Sequence, residues 1–273
     1  MNPIVVIMKK EIRDSVRSRW MTVFAMTFGL LAIALSLVQS SSDSISVQGF
    51  NRTTAALINL CLLLVPLISI LVGAGSISGE RERGTWPVLL SMPISINQLI
   101  IGKFIGLAVA VSATIAVGFG GAGIIVALVS PVSGIFHYLV FTALSIVLAG
   151  ATLSVGIVIS IFSDGRLKAL SRALILWFVM AVIYDLAAIG IALAISATGR
   201  YLFIAVLTNP VECIRILLIL TLDPEGDVLG PLGSYVVNEV GRSTSVCLIT
   251  AALVLWIIVP IIMTISTARI QDA

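Results

Sequence analysis

The chain has 273 residues, 59% of them hydrophobic and 11% charged, with a mean hydropathy of +1.17. Soluble domains carry about a quarter charged residues, so this composition excludes a soluble enzyme and describes a polytopic membrane protein. The net charge of +3 is too small to imply nucleic-acid binding. Three cysteines far apart in sequence (Cys61, Cys213, Cys247) form no C-x-x-C pair and no disulfide framework; Cys61 and Cys247, within apolar runs, read as small core residues.

Residues 1–19 place Ile4, Met8, Ile12 and Val16 every fourth position among Lys9, Lys10, Glu11, Arg13, Asp14 and Arg17. One apolar stripe with charge around the rest predicts an amphipathic helix lying in the headgroup plane. Met21 to Val38 follows as a retained first span rather than a signal peptide, because the basic start is long and contains acids. Gln39 to Arg52 is a Ser-rich external loop, and Thr54 to Ser78 is the second span, kinked at Pro66.

Residues 79–93 concentrate charge inside an oily chain. Glu80, Arg81, Glu82 and Arg83 in a row cannot sit in hydrocarbon, so the chain surfaces there. Thr85 is the expected N-cap of a short helix, with Pro87 in its first turn. Trp86, Leu89 and Leu90 share one face and Pro93 closes the segment. The reading is a greasy two-turn helix offered to a groove on a partner; the alternative is a plain polar loop.

The third span runs from Asn97 to Val129, with Gly118, Gly120, Gly121 and Gly123 as close-packing positions. After a turn at Pro131 to Gly134, His137 to Phe162 is the fourth span, and Ser163 to Arg172 is a basic loop. Ala173 to Ala197 is the fifth span and Thr244 to Thr267 the sixth, so residues 20–273 form one transmembrane domain. Between them, 198–243 is more polar. Tyr201 to Leu222 is long enough to cross, but Asn209, Glu212 and Arg215 would then lie mid-bilayer, so interfacial or re-entrant helices are expected. With the N-terminus cytoplasmic, twelve of the sixteen Lys and Arg fall on the inner side, which predicts six spans with both termini inside.

Little of the chain is equipped for chemistry. Gly102-Lys103 lacks the rest of a Walker A motif, so ATP is handled by another polypeptide. His137 stands alone and the seven Met are scattered, so neither a metal nor a cofactor is expected in this chain. Asp185 in the fifth span must face the bundle interior, as a hydrogen-bonding residue or a substrate or proton site; Tyr184 lies about 100° around the helix from it. Asn209 and Pro210 read as the cap and first residue of a helix. Glu212 and Arg215 either pair with each other or, with Asn209 and Pro210, make a platform for an extracytoplasmic partner. An intramembrane enzyme is disfavoured by this inventory, and a secondary transporter by the lack of a repeat.

Glu-x-Glu-x-Gly-Thr-x-x-x-Leu-Leu-x-x-Pro, from Glu80 to Pro93, resembles the coupling-helix motif of ABC-2-type permeases, departing from it at Pro87, where many members carry an acid. With Gly102-Lys103-Phe104, Tyr184-Asp185-Leu186 and Asn209-Pro210 through Arg215, nearly the whole chain resembles the membrane subunit of the Nos-type ABC transporter used in maturing nitrous oxide reductase. The resemblance implies an all-α, six-span, type V exporter-like subunit in the cytoplasmic membrane. It implies a homodimer bound to two ATPase subunits that use ATP and Mg, with a copper-handling periplasmic β-helix protein docked outside. Glu80, Glu82, Gly84, Thr85, Trp86, Leu89, Leu90 and Pro93 would then engage the ATPase. The alternative within that class is an exporter of a lipid, drug or peptide.

Overall fold

A computed structural model describes residues 3–17, 23, 26–27, 29–30, 52–129, 135–195, 199–223 and 226–272. Every element among them is helical: α1 (Pro3–Val16), α2 (Arg52–Glu82), α3 (Trp86–Leu90), α4 (Ile96–Val129), α5 (Ile135–Ile161), α6 (Arg166–Phe178), a π turn (Val179–Ile183), α7 (Tyr184–Ile195), α8 (Gly199–Leu207), α9 (Pro210–Leu222), a 3-10 turn (Asp227–Leu229), the one-turn α10 (Pro231–Ser234), a second π turn (Tyr235–Glu239) and α11 (Arg242–Asp272). Among the described residues, five continuous helical stretches are long and apolar enough to cross a membrane: Ile58–Glu82, Ile96–Phe119, Leu139–Ile161, Arg166–Ala188 and Arg242–Ile270. The expected first span, Met21 to Val38, and the expected loop, Gln39 to Arg52, lie largely outside the described residues; 23, 26, 27, 29 and 30 are helical, and Arg52 opens α2.

Several boundaries differ from expectation. The fifth span begins at Arg166, so the basic segment expected as a loop is the first turns of a helix. Glu80 and Glu82 likewise close α2 rather than opening a loop. A charged terminal turn continues a helix at no cost once its side chains reach partners or water, so hydropathy alone sets the edges too far in. Cys61 is buried as expected, whereas Cys247 is exposed on α11.

The bundle is drawn together where side chains are absent. A methyl group at Gly73 on α2 would stand 3.0 Å from the Gly156 Cα on α5 and would strike the Leu153 carbonyl oxygen, and Gly156 meets the Ile70 carbonyl in the same way. The two backbones therefore touch, and neither position accepts a Cβ. On the fold's other flank, Gly102 and Gly106 seat α1 on α4: a Cβ on Gly106 would lie 2.8 Å from Glu11 Cβ, and one on Gly102 would lie 3.0 Å from Ile7 Cβ. Gly29 packs near Gly118, 3.7 Å from its carbonyl oxygen by the same measure, in keeping with the packing expected there.

The axes of α8 and α9 meet at 119°, so the chain turns back on itself at Thr208 and Asn209. The second leg, α9, is buried along nearly its whole length in a core shared with α2, α4, α5 and α11. A second core sits at the other end of α2 and collects Ile7, Ile77, Trp86, Leu99, Ile100 and Ile161. Exposed apolar residues include Leu174, Ile175, Phe178 and Leu186 on α6 and α7 and Leu255, Ile258 and Ile262 along α11.

Replacing Gly156 with Leu is expected to lower stability by about 1–3 kcal/mol or more, the range for overpacking a filled interior. A lower thermal midpoint of the detergent-solubilised chain, followed by size-exclusion, checks this; Gly190→Leu, with nothing within 4 Å of its Cβ position, is the control expected to change little.

Candidate functional site

Between α2 and α4 the chain makes a tight descent into α3. Gly84 takes a left-handed φ of 69° with open space around it, and the Thr85 N–H and hydroxyl both return to the Glu80 carbonyl, at 2.9 and 3.1 Å. Thr85 occupies the N-cap position but adopts helical angles, φ −87° and ψ −15°, and its side chain does not cap α3. The hydroxyl is engaged backward on Glu80 instead, which corrects the capping role read from sequence.

The greasy face also points the other way from expectation. Trp86 is 7% exposed and, with Leu89 and Leu90, packs on the core of its own chain against residues such as Leu99 and Ile161. An apolar stripe satisfies itself on whatever apolar surface is nearest, and here that surface is intramolecular. The outward face consists of Glu82, Arg83, Thr85, Pro87, Val88, Ser91, Met92 and Pro93, with Val88 57% and Met92 47% exposed.

Three of the four charges ahead of it, Glu80, Arg81 and Glu82, are tied to the fold. Arg81 Nη1 donates to the carbonyls of Ile161 (3.1 Å) and Ser163 (3.2 Å), closing the end of α5. Glu82 Oε2 accepts the Arg166 N–H at 2.7 Å, supplying α6 with the cap that Gly165 lacks. Glu80 is 2% exposed and does not face outward at all.

Glu80 belongs to a buried ion cluster. Its Oε1 lies 2.9 Å from Lys103 Nζ of α4 and 2.8 Å from Lys10 Nζ of α1, and Lys103 Nζ is also 2.8 Å from Glu11 Oε1. Lys103 is 1% exposed. Two cations and two anions balance, as a desolvated cluster requires. Burial pulls the Lys10 ammonium down, but its hydrogen bond to Glu80 and the nearby carboxylates outweigh this and leave it above its usual value. The buried line of α1 is accordingly Ile7, Glu11 and Ser15, one residue out of register with the stripe read from sequence, because Glu11 is directed inward by Lys103. Lys10, Glu11 and Lys103 were missed as site residues; a lone lysine in a 34-residue apolar helix was the available signal.

At the other end, Asp185 of α7 does find an interior partner. Arg215 Nη2 donates to Asp185 Oδ2 at 2.6 Å, while Arg215 Nη1 stands 3.0 Å from Glu212 Oε1. The guanidinium thus bridges two acids that sequence reading kept apart. Tyr184 donates to the Ala205 carbonyl (2.6 Å) and lies 2.7 Å from the Thr208 hydroxyl. Asn209 caps α9 as expected, accepting the Val211 N–H at 3.0 Å, and its amide also donates to the Met180 carbonyl at 2.8 Å. Asn209 is 1% and Glu212 9% exposed, and Pro210 is buried too. These residues therefore offer no exposed platform, because α9 is apolar enough to sink into the core and takes its polar residues with it. Among the described residues no three His, Cys, Asp or Glu side chains gather as a metal site; the side chain of His137 lies outside the described set.

The model of the ABC-2 family transporter protein matches residues 5–269. The chain belongs to this family. The relatives of this permease include the probable ABC transporter permease protein NosY of Stutzerimonas stutzeri, 29% identical over 243 residues, 85% of this chain and 87% of that one. The protein of the same name from Pseudomonas aeruginosa is 30% identical over 225 residues, 79% of this permease and 81% of the relative. A multi-pass membrane permease that works with an ABC ATPase follows from the family and from the apolar helices.

Lys103→Met leaves Glu11 and Glu80 desolvated without their buried cation and is expected to cost about 3–5 kcal/mol. Loss of folded protein on size-exclusion checks it, and adding Glu80→Gln to the variant is expected to recover part of the loss, since it removes one stranded charge.

Proposed function

We infer that this permease couples ATP hydrolysis by a separate ATPase to movement of its membrane helices, with α3 as the coupling helix. One observation carries the reading: α3 and the turn after it present Val88 and Met92 outward while the other face of α3 is fixed to the body of the chain. A contact surface that is apolar, small and rigidly backed is suited to receive a push from a groove on a partner. Its backing is unusually direct. Glu80, six residues before Trp86 closes onto the core, is joined to α1 and α4 through Lys10, Glu11 and Lys103, and Glu82 is joined to α6. Displacement of α3 therefore reaches three helices, α1, α4 and α6, through ionic and hydrogen-bonded contacts.

The finer assignment is a subunit of a Nos-type transporter, acting in maturation of the copper site of nitrous oxide reductase, and the two NosY relatives support it. In that assignment two copies of the chain pair, each with one ATPase that uses ATP and Mg, in the cytoplasmic membrane with the N-terminus and α3 inside. The exposed apolar sides of α6–α7 and α11 are then the surfaces for lipid and for the second copy. A copper-handling β-helix protein would meet the opposite end, where Tyr201, Ile204 and Val228 are exposed.

Purification of the chain from its native membranes in mild detergent tests this. An ATPase bearing a Walker A motif is expected to co-purify in equal amount, and a secreted β-helix protein with it. Val88→Asp with Met92→Asp is expected to release the ATPase and abolish its stimulation without loss of folded permease. Retention of the ATPase by that variant would remove α3 from the interface.

A further inference from the structure

The fifth span changes helical register at its middle. The Tyr184 N–H bonds to the Val179 carbonyl, five residues back, and so passes over Met180. A carbonyl skipped by a π turn needs another donor if it is to avoid standing bare in an apolar medium. Met180 finds one in Asn209, whose amide donates to it from the tip of the α8–α9 hairpin. On either side of that bond Tyr184 reaches Ala205 and Thr208, and Asp185 reaches Arg215. All of these contacts join one short stretch of the span, 180–185, to the hairpin.

The π turn and the hairpin contact are thus mutually dependent. If the turn relaxes to regular α-helix, Met180 regains a partner within its own helix and no longer requires Asn209. The relaxation removes one residue from the turn and rotates α7 by about 100°. Tyr184 and Asp185 then swing off the hairpin, and Ile183 arrives where Tyr184 had been. Arg215 retains a counterion through this change, because Glu212 lies on its own helix. That accounts for two acids facing one guanidinium: Glu212 serves in both registers and Asp185 in one.

We propose that the fifth span has two registers, a π register latched to the α8–α9 hairpin through Asn209, Tyr184 and Asp185, and an α register in which the latch is open. Asn209 selects between them, capping α9 with its oxygen and holding the π turn with its nitrogen. Because opening strands Asp185, the latched register is the resting one and opening must be driven. The device stands on the geometry of this chain alone and does not require the ATPase assignment.

Disulfide trapping in the full chain, in its native membranes and in a Cys247→Ser background, reads the register directly. Tyr184→Cys with Thr208→Cys reports the latched register, and Ile183→Cys with Thr208→Cys the open one. With Asn209 intact the first pair is expected to dominate. Asn209→Ser keeps a capping oxygen but cannot reach Met180, and is expected to shift the ratio of the two products towards the open pair by about fivefold, the equivalent of one lost hydrogen bond. An unchanged ratio in folded protein would overturn the proposal. Where Asn209→Ser does not accumulate, Asp185→Asn takes its place; a shift in the same direction is expected, and no shift would equally defeat the latch.

Discussion

Among the described residues, each buried charged side chain is met by an opposite charge. Lys103 is the sole ionisable residue in α4, and it has almost no contact with solvent. An ammonium so placed obliges the chain to bring carboxylates to it. Glu11 arrives on α1 and Glu80 on the last turn of α2, and with them come the lie of the N-terminal helix and the exit of α2 toward α3. The glycines at 102 and 106 are the steric counterpart of the same arrangement. They let α1 approach closely enough for Glu11 to reach its partner, since a side chain at either would press on Ile7 or Glu11. Much of the geometry at this end of the molecule thus follows from one buried cation and two missing side chains.

The other end repeats the principle with a different balance. Arg215 faces two acids rather than one, and the contacts there join the tip region of the α8–α9 hairpin to a short stretch in the middle of the fifth span instead of running along two flanks. Side-by-side helices share a long seam and move together, whereas a tip contact is made by a few hydrogen bonds and can be broken without disturbing a core. Backbone irregularity in the fifth span sits at this contact, where a donor from outside the helix is in reach. The Trp177 indole also ties the fifth span to α2, donating to the Leu63 carbonyl.

Hydropathy made the long helices legible, because length and apolarity are all that spanning demands, and the position of the short helix after Glu82 was legible from its charges and prolines. Direction was not. Trp86, Leu89 and Leu90 form a stripe whether they dock on a partner or at home, and sequence holds no sign of which surface is nearer. Long-range pairing was equally hidden: Glu11 and Lys103 stand 92 residues apart, and Asp185 and Arg215 thirty. The π turn left no trace, since no Pro or Gly marks it and the donor that satisfies Met180, Asn209, lies 29 residues away. Gly73 and Gly156 passed unremarked among the many glycines of apolar helices, where only the facing backbone tells a contact from a gap.

That last contact gives α2 a fulcrum. Gly73 is nine residues from the Glu82 end of the helix and fifteen from Ile58, where the spanning stretch begins. A rod pinned off-centre is a lever: tilting it about the pin moves the longer arm further, and in the opposite sense. Any small rocking of α2 imposed near α3 therefore reappears enlarged and reversed beside the core that holds α9, with no element having to stretch in between.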